Sequence, residues 1–163
     1  MSLPWEVPFR PESEFGVPTL PRFLNWEKSF VSGPDSPLYE ITHWKSTETP
    51  DWLLSKVTFK PRAEGPPGHV HGGASAGLLD EVMGILAWDR NHSCVTRTLQ
   101  VHYSKAIPLS LEARVLTRIV QLEARSLEVH STVYNTEGLA FVSCQGIFHI
   151  LSEGQLAKFK SGF

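Results

Sequence analysis

Hydrophobic and polar positions divide the chain into blocks of different period. Residues 38–44 and 53–60 are short apolar and aromatic runs on either side of the turn-forming segment 46–51, and they predict two strands. A Gly- and Pro-rich loop over 61–69 follows. Residues 74–88 are then apolar at nearly every position, which predicts the one long helix of the chain, about 22 Å in length. Its apolar residues fall on all sides of a helical wheel, so the expectation is a helix buried all round. After a polar turn at 89–93 strand patterning takes over, with strands expected at 94–103, 111–122, 126–134 and 139–151. Residues 153–163 predict a short closing helix.

This order of elements (two strands, a helix, four strands on short connections) points to an α+β layout. A curved antiparallel sheet leaves one apolar face open, and a single long helix can cover it. The first 37 residues differ in character, since they hold seven of the twelve prolines. Proline removes a backbone donor and fixes one dihedral, which rules out a long helix or an interior strand there. The same stretch carries Trp5, Phe9, Phe15, Phe23, Trp26 and Phe30, too many aromatics for a disordered tail. It is expected to be an irregular arm with one helical turn near 20–30, packed on the domain as a lid or a dimer contact. The division is thus an arm at 1–37, a domain at 38–152 and a terminal segment at 153–163.

Charge narrows the partners. A formal net charge of −2 with scattered basic residues argues against nucleic-acid binding. No apolar run reaches the length of a membrane span, and residues 1–15 lack a signal-peptide pattern, so no membrane partner and a cytoplasmic location are expected. Cys94 and Cys144 have neither disulfide-scaffold nor zinc-site spacing; they read as buried free thiols, with mutual pairing left open. His69 and His71 lack a third metal ligand at suitable spacing, and no metal is expected.

Candidate chemistry lies on the helix. Asp80 and Glu81 are charged residues in the middle of an apolar segment, and burying an unpaired carboxylate costs several kcal/mol or more. Asp80 therefore either has a chemical use or faces a solvent gap. Glu81, about 100° further round and longer, is expected at the solvated surface. His71-Gly72-Gly73 precedes the helix, where backbone amides lack partners and the helix dipole favours negative charge. Glycines also let a ligand approach the backbone closely. Amide donors and a carboxylate together suit carbonyl chemistry, with Asp80 as nucleophile or as general base for water. No Gly-x-Ser-x-Gly elbow or phosphate-binding Gly loop occurs.

The run from Gly65 to Asp80, with His71-Gly72-Gly73 and an aspartate eight residues after Gly72, resembles the His-Gly-Gly signature of hotdog-fold thioesterases, of the phenylacetate-pathway and mammalian thioesterase-superfamily types. Similarity continues through 95–103 and 105–109 and more loosely to about 151, leaving the first 37 residues outside it. The resemblance implies a hotdog fold, two subunits joined sheet edge to sheet edge as a homodimer or a dimer-of-dimers tetramer, and sites formed across the interface. It implies that the Gly72 amide polarises a thioester carbonyl, that Asp80 of the partner attacks it or activates water, that Thr96 positions water, and that His71 shapes the loop. The implied substrate is an acyl-CoA, with CoA belonging to the substrate and no separate cofactor. Arg125 and Gly73 are the candidate contacts to CoA, and Leu79, Met83 and Trp88 are the expected walls of an acyl tunnel. Gly65 departs from the Asn or Gln that some relatives carry there, which bears on water handling and on Thr96. The alternatives are a hydratase or dehydratase of acyl thioesters on the same fold and a non-catalytic acyl-CoA-binding protein.

Overall fold

The computed structural model describes residues 3–161; residues 1–2 and 162–163, which the expected arm and terminal segment include, lie outside the described residues. Seven strands form one antiparallel sheet: β1 (Val17–Thr19), β2 (Tyr39–Lys45), β3 (Trp52–Phe59), β4 (Cys94–Tyr103), β5 (Glu112–Leu122), β6 (Ser126–Tyr134) and β7 (Ala140–Ile150). Their spatial order is β1-β2-β3-β5-β6-β7-β4, so β1 and β4 are the two edges. Helix α1 (Gly72–Asp89) lies against the inner face and touches β3 through β7, while α2 (Glu153–Ser161) closes the chain. This is the α+β, hotdog-type arrangement, a central helix wrapped by an antiparallel sheet.

Local chemistry sets the limits of α1. His71, in extended conformation, caps its start, and its Nδ1 accepts from the Gly73 amide at 2.9 Å. At the other end Asn91 adopts the left-handed conformation (φ 63°), and the His92 amide turns back to the Ala87 carbonyl, which satisfies the last turn. Leu78, Leu79, Val82, Met83, Ile85 and Leu86 are fully buried against the sheet and form the centre of the core.

Two expectations need correction. The helix is not buried all round: Gly77, Asp80, Glu81, Gly84 and Trp88 form a strip that the sheet leaves partly open. These residues recur at spacings of three and four, so they share one face; because most are small or apolar, the sequence pattern hides the stripe. The arm also contributes a strand, β1, which pairs with β2. Pro18 is tolerated there because an edge strand needs donors on one side only. Before β1 the arm crosses the outer face of the sheet, where Val7 and Phe15 pack with Leu54, Leu116 and Tyr134. After β1 it passes to the side of α1, with a short 3-10 turn at Trp26–Lys28 inside the stretch expected to hold one helical turn.

Candidate functional site

Asp80 stands in the middle of the open strip and is half-buried. Its Oδ1 accepts a hydrogen bond from Thr96 Oγ1 at 2.7 Å. Thr96 lies where the register of β4 against β7 shifts, since Thr96 pairs with Phe148 and Thr98 with Ile147. An extra residue of this kind twists an edge strand and re-aims a neighbouring side chain, here toward the helix. Burial raises the Asp80 carboxyl above its ordinary value of 3.8, and the Thr96 hydrogen bond opposes the rise. The Cys94 and Cys144 thiols are pushed up to about 12, first by burial and then by the charge of Asp80. Both are free and both stay protonated at neutral pH, so neither offers a thiolate beside Asp80.

Asp80 borders an apolar cavity of about 270 Å³. Trp88, Val95 and Phe148 come from the core elements, Phe23 and Leu24 from the arm, and Leu151, Leu156 and Phe159 from the end of the chain. Leu79 and Met83, expected as tunnel walls, are wholly inside the core and do not reach it; of the three expected residues Trp88 alone does. Glu81, expected at the solvated surface, instead accepts from Ser29 Oγ at 2.6 Å and Ser32 Oγ at 2.5 Å, and so fastens the arm to the helix.

A second station lies at the start of α1. Among the described residues nothing accepts from the Gly72 amide, while its carbonyl receives Tyr103 Oη at 2.8 Å and Ser75 Oγ at 3.0 Å. Gly72, Ser75, Tyr103 and Lys105 line a separate cavity of about 280 Å³. The Gly73 amide is occupied by His71 Nδ1, which makes His71 the shaper of this turn and leaves Gly72 as the free donor. Arg125, in the β5–β6 turn, donates to Gln155 Oε1 of α2 at 2.8 Å and lines neither cavity. The structure therefore joins Asp80 with Thr96, and His71 with Gly72 and Gly73, while Arg125 stands apart. Asp80 and Gly72 are eight residues apart on one helix, about 12 Å along its axis, so one chain does not turn both toward the same atom.

Sequence reasoning missed Tyr103 and Ser75, which fix the Gly72 peptide, and the arm residues Ser29 and Ser32. Tyr103 alternates like any strand residue, and the serines lie about fifty positions from the carboxylate they hold, so no local signal marked them. Among the described residues no three or more His, Cys, Asp and Glu side chains gather as a metal site, and no helix is long and apolar enough to cross a membrane.

Comparison with known proteins sharpens the picture. Residues 67–141, which include Gly72, Asp80 and Thr96, match the family model described as thioesterase superfamily. The acyl-coenzyme A thioesterase THEM4 of Rattus norvegicus is 35% identical over 74 residues, covering 45% of this chain and 32% of the relative. The chain thus matches about a third of the length of that relative. Among solved structures, a Bacillus halodurans protein solved with CoA shares 29% identity at a TM-score of 0.55, covering 60% of this chain and 66% of that one. The zebrafish thioesterase superfamily member 2 reaches a TM-score of 0.65 at 14% identity, over 77% of this chain and 91% of that one, a likeness of fold.

Proposed function

We propose that the chain, whose residues 67–141 match the thioesterase superfamily model, hydrolyses an acyl-CoA thioester to the free acid and CoA, with Asp80 as the base that activates water. The observation that carries this reading is the half-buried Asp80 carboxylate, held by a single hydroxyl at the wall of an apolar cavity. A carboxyl raised by burial accepts a proton from water more readily than an ordinary one. Thr96 occupies Oδ1, which leaves Oδ2 to take that proton.

The reaction balances on these groups. Asp80 removes a proton as the water oxygen bonds to the carbonyl carbon, and the carbonyl electron pair moves to oxygen. The Gly72 amide of a second copy holds that oxyanion at the positive end of its helix, where one such donor is worth about a hundred- to a thousand-fold in rate. The carbonyl then re-forms as the C–S bond breaks, and the sulfur of CoA leaves with the proton from Asp80. A second copy is needed because reacting groups must meet within about 3–3.5 Å, and the two stations of one chain lie along one helix. The ten-residue β4 supports this assembly: it is an edge strand with one side unpaired and with Val95 and Tyr103 exposed. We therefore read the active unit as a homodimer or a pair of dimers joined along β4. Gly73 and Arg125, whose polar groups already have partners within the chain, remain proposed contacts to CoA only if those partners give way.

The test is release of free thiol from a panel of saturated acyl-CoAs and an enoyl-CoA. Thiol release from saturated substrates, lost in Asp80→Asn, is expected. Hydration of the enoyl-CoA without thiol release would mark the hydratase alternative, and acyl-CoA binding without turnover would mark a non-catalytic protein.

A further inference from the structure

The segment 20–32 is tied to α1 at two points. At one, Thr19 Oγ1 lies 3.4 Å and the Arg22 guanidinium 3.5 Å from Asp89 Oδ1 at the end of the helix. At the other, Ser29 and Ser32 donate to Glu81, and Ser29 Oγ also accepts the Val31 and Ser32 amides, so the attachment is an ordered turn and not a single contact. Asp89 and Glu81 are eight residues apart, about 12 Å along the helix. The chain from Arg22 to Ser29 runs between these anchors, and Phe23 and Leu24 hang within it over the cavity beside Asp80. Beneath them Gly84 supplies room: a Cβ built there meets nothing within 4 Å, although glycine costs a helix interior roughly 0.5–1 kcal/mol relative to alanine.

We propose that residues 20–32 are a strap whose Phe23 and Leu24 close the cavity beside Asp80 and limit the acyl group to one of medium size. This rests on the thioesterase reading and names the substrate class within it. At about 270 Å³ the space falls just below the range of roughly 300–1,000 Å³ that encloses drug-sized ligands. Its walls are aliphatic and aromatic, with Asp80 and Glu81 as the charged residues at its side. Glu81 is committed to the strap, which leaves Asp80 for the thioester end and the apolar walls for the chain.

The test compares the parent with Phe23→Ala, with the pair Ser29→Ala and Ser32→Ala, and with Gly84→Leu. Two readouts cover the same straight-chain series from acetyl to hexadecanoyl: thiol release from acyl-CoAs, and calorimetric binding of the non-hydrolysable S-alkyl-CoA thioethers. Phe23→Ala and the serine pair should raise the hexadecyl-to-hexyl affinity ratio at least tenfold. Gly84→Leu, which fills the space, should move the cutoff to shorter chains. Thioether profiles that coincide with the parent in all three would overturn the strap. A parent that binds thioethers with a length cutoff yet releases no thiol would overturn the hydrolase reading and leave the strap standing.

Discussion

Two carboxylates on α1, nine residues apart in the sequence, live in opposite circumstances. Asp89 is the more deeply buried, with its side chain 4% exposed, and it sits at the helix C-terminus, where the dipole disfavours negative charge. Three groups serve its Oδ1: Lys45 Nζ at 3.0 Å, Thr19 Oγ1 at 3.4 Å and Arg22 Nε at 3.5 Å. Asp80 is less buried, in a less hostile stretch of helix, yet among the described residues it has one hydroxyl partner and no cation. Burial depth alone therefore does not single out the carboxylate proposed to react. The difference lies in how well the anion is served, and the poorly served one borders the cavity.

Removing each group should break this comparison in a different way. Asp80→Ala is expected to lower kcat/KM by about a thousandfold or more, within the range for loss of a positioned base, without lowering the melting temperature. A variant that keeps near-parent thiol release would remove Asp80 from the chemistry. Asp89→Ala should do the reverse. It should cost about 1–3 kcal/mol in chemical unfolding, less than a wholly buried pair because Lys45 and Arg22 retain a route to water. Activity per folded molecule should stay close to that of the parent.

Smaller changes sharpen the contrast. Thr96→Val should reduce kcat about tenfold and move the acid limb of the pH–rate profile further up, because Thr96 is what holds the Asp80 carboxyl down. In the parent that limb should already lie above 3.8, with rate rising as pH rises. The smallest effect is on stability. A carboxyl raised in the folded state costs stability where it is charged, so Asp80→Asn should be slightly more stable than the parent at neutral pH. That advantage should shrink as pH falls through the raised value and vanish below 3.8, as urea unfolding at several pH values would show.

Much of this was legible beforehand. Strands β4 and β6 lie at the expected 94–103 and 126–134, because turn residues bound each strand-forming run; their burial does not alternate cleanly, since β4 is open beyond Cys94 and β6 is buried on both faces from Val129 onward. Asp80 and the His71-Gly72-Gly73 turn stood out because charge and paired glycines are rare in such a setting. The misreadings have physical causes. β1 is three residues long and contains Pro18, so its pairing comes from the neighbour strand and not from its own propensity. Glu81 reads as surface until Ser29 and Ser32 arrive from a distant segment. Leu79 and Met83 read as cavity walls because a helix of near-uniform hydropathy does not reveal which of its faces is left open.

Cys94 and Cys144 carry a practical consequence. Both are almost wholly shielded and ionise only near pH 12, whereas exposed cysteine in an unfolded chain reacts readily with aromatic disulfide reagents. In a colorimetric assay of released CoA the native protein should add no background, and the same reagent in denaturant should count two sulfhydryls per chain. The two residues thus serve as an internal gauge: a lost activity accompanied by silent sulfhydryls is a defect of chemistry, and one accompanied by reactive sulfhydryls is a defect of folding.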